Sequence, residues 1–256
     1  MSEVVKFGAI SCTHCPHQSE RAIAKLIEEL KIRKPQVFVH CGDAVDASGA
    51  SVHSDDSDSV TLHDEFLIAS DMLRRIREAL PEDCKLVMID GNHDDNIQRP
   101  DPRRVPKALR SLCDPRKMHG VADEFKRWKH IPYRFGRCFQ LGGVIFHHGF
   151  GASANSDELE AIQLAMACGG HAHRLVIRGH THRPVPPTQC RRTARVKLPW
   201  WYCNVGMMAF EKKPSYCDRW DTQQWGRSAC FGTAIVGRPD RIPKDNWTAE
   251  LVDLDR

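Results

Sequence analysis

Apolar and polar positions along the chain switch between strand-like runs and helical spacing. Val4–Ile10 is an apolar run of strand length, and Ile23, Leu26, Ile27 and Leu30 then fall on one helical face. Pro35 ends that helix, and Gln36–His40 reads as a second strand. Ala47–Ser59 is rich in Ser, Asp and Gly and predicts a long loop. A second helix is predicted from Thr61, its N-cap, to Leu80. Ala69, Met72, Leu73, Ile76 and Leu80 form its stripe, and Pro81 stops it. Lys85–Asp90 predicts a third, buried strand. The resulting β-α-β-α-β order predicts an α/β layered fold rather than a bundle or an all-β sandwich.

Beyond Asp94 the pattern is broken by Pro100, Pro102 and Pro106, with room for a short helix over Lys107–Cys113. Strands are predicted at His130–Phe135, Arg137–Leu141 and Val144–His147. A helix capped by Ser156 runs to Cys168 and is closed by Gly169-Gly170. Leu175–Ile177 is a further strand, and the chain from Arg195 onward reads as strands and turns. No internal repeat, low-complexity tract or linker divides the sequence, so residues 1–256 are read as a single domain.

Composition narrows the class without naming a function. Of 256 residues, 41% are hydrophobic and 27% charged, the balance of a soluble globular protein. No apolar run approaches the ~18 residues of a membrane span, and no basic-then-apolar leader opens the chain. The reading disfavours a membrane protein, a processed secreted protein and a disordered chain. A net charge of +4 does not by itself imply nucleic acid. The basic clusters at Arg99, Arg103 and Arg104 and at Arg191, Arg192, Arg195 and Lys197 read as solvated faces. Eleven irregularly spaced cysteines point to reduced thiols in the cytoplasm. One C-x-x-C pair, Cys12 and Cys15, lacks the second pair that a zinc ribbon needs.

Histidine placement carries more information. Six of the 14 histidines lie between His147 and His182, where even spreading would put about two. Each strand end is followed by a polar cluster: Ser11-Cys12-Thr13-His14, Gly42-Asp43-Ala44-Val45-Asp46, Gly91-Asn92-His93-Asp94, His147-His148-Gly149 and Gly179-His180-Thr181-His182. In open α/β sheets, ligands bind outside the carboxyl ends of the strands, so these distant segments can converge. Carboxylate, amide oxygen and imidazole together suit two divalent ions about 3.5–4 Å apart. Asp43, with two oxygens, is the natural bridge.

The ordered set C-x-H, G-D-x-x-D, G-N-H-D, H-H-G and G-H-T-H resembles the calcineurin-like metallophosphoesterases. Asp221–Gly226 resembles a feature of phage and bacterial members of uncertain substrate. The resemblance implies a four-layer α-β-β-α sandwich of two facing mixed sheets flanked by helices, the later strands supplying the second sheet. It implies a dinuclear phosphoesterase that cleaves a phosphomonoester or phosphodiester through a metal-bridging hydroxide. One ion takes Cys12, His14, Asp43 and His182, and the other takes Asp43, Asn92, His148 and His180. His93 lies near the leaving group, Asp94 orients His93 through a hydrogen bond, and Asp46 supports the loop.

Two departures from the family pattern bear on chemistry. The first motif is usually D-x-H. Cys12 here puts a soft thiolate at that position, favouring zinc or iron over manganese, if it ligates at all. After Asp46 come Ala47-Ser48, in place of the arginine of the protein phosphatases, and His93 is followed by Asp94 rather than glutamate. A phosphodiester or nucleotide-like substrate is therefore favoured over a phosphoprotein. The alternatives are a nuclease gripping DNA or RNA through its basic clusters, and a non-catalytic scaffold that uses the fold for protein contacts. His147, His171, His173, His17 and Cys15 are read as packing or loop residues. Trp200, Trp201, Tyr202, Trp220 and Trp225 are read as core aromatics, and Asn204-Val205-Gly206 as a structural turn.

Overall fold

The computed structural model describes residues 2–47, 50, 60–98, 113–153, 155–168, 174–193, 196–211, 224–237 and 246–256. Strands β1 (Glu3–Ile10), β2 (Val37–His40), β3 (Lys85–Ile89) and β4 (Lys129–Ile131) run parallel. β10 (Ser228–Val236) pairs antiparallel to β1, and β11 (Trp247–Asp253) pairs antiparallel to β10. These six form one sheet in the order β11-β10-β1-β2-β3-β4. The second sheet has the order β5-β6-β7-β9-β8, from β5 (Phe139–Leu141), β6 (Val144–Phe146), β7 (Arg174–Arg178), β8 (Pro184–Thr193) and β9 (Val196–Val205).

Strand alternation divides the core into layers. Val5, Phe7, Ala9, Val37, Val39 and Val87 face Val144, Phe146, Leu175, Ile177 and Val205 between the sheets. On the outer face of the first sheet, Ile10, Phe38 and Met88 pack on helices α1 (Glu20–Arg33) and α2 (Leu62–Glu78). On the outer face of the second, Ile145 and Val176 pack on Ala161 and Leu164 of helix α5 (Ser156–Ala167). The layers are α-β-β-α. Among the described residues no helix is long and apolar enough to cross a membrane.

Caps explain the helix limits. Thr61 and Asp64 form a reciprocal capping box at the start of α2. α1 is capped by Ser19, whose side chain accepts from the Ala22 amide, and it ends at left-handed Lys34 before Pro35. The structure corrects several expectations. Asn155, not Ser156, holds the N-cap position of α5, and Ser156 Oγ instead meets Ser153 Oγ at 2.9 Å. β4 stops at Ile131 because only three of its residues pair with β3, which leaves Tyr133 to Arg137 in a turn. β8 was not expected, because Pro184, Pro186 and Pro187 argue against a strand. It is an edge strand, where a missing N–H breaks no inner ladder, and its pairing to β9 shifts register between Val185 and Thr188. Two short helices also escaped the pattern, α3 (Asn92–Gln98) and α4 (Ala122–Arg127). The last two strands return to the first sheet instead of extending the second. The predicted helix over 107–113 and most of the predicted 47–59 loop lie outside the described residues. So do Arg99, Arg103, Arg104, Gly169, Gly170, His171, His173, Arg195, Trp220 and residues 221–223.

Candidate metal centre

Strand register brings the motif loops to one level. Ile10 pairs with His40 and His40 with Met88, so the loops after β1, β2 and β3 leave the first sheet side by side. In the facing sheet, Phe146 pairs with Ile177 and Arg178 with Asn204, which aligns the loops after β6, β7 and β9. The first two loops are stitched together. Cys12 N–H donates to Gly42 O (2.8 Å), and His14 N–H donates to Asp43 O (3.0 Å).

Five candidate ligands lie in left-handed backbone conformations: Cys12 (φ 55°), His14 (44°), Asp43 (55°), His180 (70°) and His182 (60°). Such residues cost about 1–3 kcal/mol each and persist where their surroundings over-determine them, a pattern that clusters at functional sites. Two glycines permit the close approach. A Cβ on Gly42 (φ 99°) would lie 2.5 Å from His148 Nδ1, and one on Gly91 would overlap Asp43 Oδ1.

The ligand atoms converge around Asp43. Its Oδ2 lies 3.1 Å from His148 Nε2 and 3.7 Å from His14 Nε2. His148 Nε2 is also 3.1 Å from Asn92 Oδ1 and 3.2 Å from His180 Nδ1, while His14 Nε2 faces His182 Nε2 at 3.1 Å. Three groups have ligand atoms within 4.8 Å of one another and could hold an ion: Cys12, His14 and His182; Cys12, Asp43 and His148; His14, Asp43 and His93. The residues expected for the first ion are thus brought together, as are those expected for the second. Cys12 stands between both sets.

The donor chemistry fits a cation. His148 Nδ1 meets the Cys41 carbonyl at 2.7 Å and His14 Nδ1 meets Asp46 Oδ1 at 3.0 Å, so both rings carry their proton on Nδ1 and turn the Nε2 lone pair inward. With a neutral ring, His148 Nε2, Asp43 Oδ2 and Asn92 Oδ1 are three converging acceptors with no proton between them, an arrangement that a cation resolves. His182 Nδ1 is buried with no hydrogen-bond partner. Burial keeps the His14 and His182 rings below the ordinary histidine value and takes His180 down to about 3, so these imidazoles stay neutral, the ligating form. Burial and the Asp43 charge push the Cys12 thiol well up. Burial opposes ionisation of Asp43, but the neighbouring His148 and His93, when protonated in the metal-free site, outweigh it and hold the carboxyl well below its usual range.

Asp94 does not orient His93. Its carboxylate accepts the backbone N–H of Asp43 (2.8 Å), Ala44 (3.1 Å) and Gly91 (2.8 Å), pinning the Asp43 loop to the start of α3. Burial and the Asp43 and Asp90 charges push Asp94 up to about 7. Asp46 holds His93 instead: His93 Nδ1 lies 2.7 Å from the Asp46 carbonyl and 3.3 Å from its Oδ1. Proximity in sequence suggested the wrong carboxylate, because α3 turns the Asp94 side chain back onto its own N-terminus.

A calcineurin-like phosphoesterase family model matches residues 5–184, the span that holds the candidate ligands from Cys12 to His182. The chain belongs to this family. No curated protein sequence matches the chain. Among solved structures, vacuolar protein sorting 29 from Cryptosporidium parvum is 12% identical with a TM-score of 0.46, covering 98% of this chain and 97% of its own. Vps29 of Entamoeba histolytica in complex with Zn2+ is 12% identical with a TM-score of 0.43, covering 97% and 99% respectively. A hypothetical protein from Thermus thermophilus is 15% identical with a TM-score of 0.45, covering 97% and 99%.

Beyond the family motifs, sequence reasoning missed several groups. Trp225, read as a core aromatic, packs its ring against His182 at 4.5 Å and stacks on Phe210, which also meets His14 at 5.3 Å. Asn204 Nδ2 donates toward Gly179 O (3.0 Å), Thr181 Oγ1 (2.8 Å) and Asp157 Oδ1 (2.9 Å), bracing the G-H-T-H loop. Arg178 is fully buried, 3.3 Å from Asp157 Oδ1 and 3.2 Å from Glu160 Oε2, and donates to Gly151 O at 2.9 Å. Glu160 in turn accepts the Phe150 and Gly151 amides. This network ties the loop after β6 to the loop after β7. His147 is buried with neither ring nitrogen partnered.

Proposed function

We propose that the chain is a metal-dependent phosphoester hydrolase that uses two divalent ions (zinc, iron or manganese) to cleave a phosphomonoester or phosphodiester. The observation that carries this reading is the convergence of Asp43, Asn92, His148, His14, His180, His182 and Cys12 in one cluster beside His93. Bound there, the ions would supply Lewis acidity, activating water and neutralising charge on the phosphoryl oxygens. Cys12, His14, Asp43 and His182 would hold one, and Asp43, Asn92, His148 and His180 the other.

The chain's own groups handle protons and position. Asp46 fixes His14 and His93 together, with Oδ1 3.0 Å from the former and 3.3 Å from the latter. With His93 Nδ1 committed to the Asp46 carbonyl, Nε2 is the atom that can give a proton to the leaving oxygen. Burial disfavours the His93 cation, but the Asp43 and Asp46 charges outweigh it and hold its pKa above the ordinary value in the metal-free site. The cysteine pattern favours a cytoplasmic setting.

Elemental analysis of protein purified without added metal, coupled to a phosphoester screen, tests the reading. Two ions per chain and turnover of an activated diester are expected. Asp43→Asn, which replaces the charged bridge by a neutral amide, should lose both ions and the activity together. A chain that binds no ion and cleaves no activated ester would overturn the proposal and favour the scaffold alternative.

A further inference from the structure

Between β4 and β5 the chain turns through Tyr133-Arg134-Phe135-Gly136-Arg137, closed by the Arg137 N–H donating to Arg134 O at 2.9 Å. Tyr133 stacks on Phe150 with ring centroids 4.5 Å apart and planes 21° apart. The edge of Tyr133 also meets the His148 ring at 5.8 Å. Phe135 continues the row, 5.7 Å from Phe150, and is 54% exposed. The rings thus form a shelf that starts at a candidate metal ligand and runs outward to solvent. Arg134 and Arg137 flank it, both exposed and without an ion-pair partner among the described residues.

Core packing accounts for Tyr133 and Phe150, which bury each other, but not for Phe135, whose ring is left open on the surface. Near His182 the cleft is walled by Phe210, almost fully buried, and Trp225, both packed with Cys12. An open aromatic surface is therefore offered beside His148. Alternation of aromatic and guanidinium groups is the chemistry that holds a flat, uncharged base next to a phosphate. The ring stacks on the base while the cations balance the anion.

We propose that the Tyr133–Phe150–Phe135 shelf is the subsite for the planar base of a nucleotide whose phosphoryl group lies at the metal centre. This rests on the phosphoester reading above and names the substrate class. Phe135 is its specificity-determining residue.

Calorimetric binding to the zinc-loaded chain tests this, with adenosine monophosphate and ribose phosphate as probes that share a phosphate and differ in the base. The nucleotide should bind roughly 5- to 150-fold more tightly, the range expected for one base stacked on an aromatic side chain. Phe135→Ala should bring the two affinities to within about threefold, whereas Phe135→Trp should keep the preference. Equal affinities in the wild type, or a preference that survives Phe135→Ala, would overturn the proposal. An oligonucleotide that binds more tightly than the mononucleotide, with a salt dependence that falls in Arg134→Gln, assigns the base to a nucleic acid strand. Indifference to strand length assigns it to a free nucleotide, and both results support the shelf. Base-dependent binding without any hydrolysis would remove the hydrolase reading alone, and hydrolysis without base preference would remove the shelf alone.

Discussion

Cys12 Sγ lies within reach of both His14/His182 and Asp43/His148, at the first-motif position where the family usually carries aspartate. The metal-free thiol keeps its proton because burial and Asp43 oppose the thiolate, whereas the buried imidazoles are already neutral. Zinc uptake by the wild type should therefore release one more proton than uptake by Cys12→Ser, and binding should strengthen as pH rises. Calorimetry in buffers of different ionisation enthalpy measures the difference, and equal release in the two proteins would remove Cys12 from the ligand set. Cys12→Asp should move preference toward manganese, as a hard carboxylate replaces a soft thiolate. His93 should behave differently. Its Nδ1 is tied to the Asp46 carbonyl, although its ring borders His14 and Asp43. His93→Asn should keep the bound metal and lower turnover by roughly 10²–10⁴. The loss should be smaller for p-nitrophenyl esters than for alkyl esters, which need more help at the leaving oxygen; equal losses would rule out a general acid.

At the scale of elements, β7 ends in Arg178 and continues directly into Gly179-His180, so one residue joins the strand to the loop of the candidate metal centre. Its guanidinium is buried between Asp157 and Glu160 of α5, and Glu160 holds the amides that follow His148. Arg178→Met would leave two buried carboxylates without their cation. We expect a loss of about 3–5 kcal/mol in denaturant unfolding, the cost of breaking a buried ion pair from one side. Arg178→Lys should recover part of it. A loss under about 1 kcal/mol would mean that the network contributes no more than a surface pair. Periodicity located α1, α2 and α5 within a few residues, because each buries one face and α2 carries a readable N-cap in Thr61. β8, α3 and α4 were not legible. The prolines of β8 are tolerated only at a sheet edge, and six- or seven-residue helices are too short to display a face.

For the molecule as a whole, the closure of two sheets over one core buries histidines that must remain neutral. His40 is fully buried, accepts the Gly42 N–H at Nδ1 (3.2 Å) and meets Thr13 Oγ1 at 3.0 Å through Nε2. Burial takes its pKa from 6.5 to about 3, and burial with the Arg178 charge takes His147 well down. In the unfolded chain these rings gain protons near 6.5 and the folded ones do not, so the unfolded state binds more protons. Stability of the chelator-treated protein should be full above pH 6.5 and fall progressively below it, toward the folded value near 3. His40→Gln, which cannot be protonated, should lessen that slope by one proton. Chemical unfolding between pH 7.5 and 5 reads the difference, and parallel slopes for wild type and variant would contradict it.

The sequence by itself determined the family, the layered α/β class and the residues that the fold gathers into the candidate metal centre. Strand ends followed by Gly, Asp, Asn and His keep the same order whatever the register, and one-sided burial leaves a local period in the chain. Tertiary structure alone decided which groups meet. Asp46 rather than Asp94 steadies His93, Phe210 and Trp225 wall in His182, and Arg178 joins two loops across α5. Those partners are set by strand pairing and by how the backbone enters each helix, across separations as long as the 47 residues between Asp46 and His93. No local pattern encodes a contact of that span; it exists only once the two sheets have closed on each other.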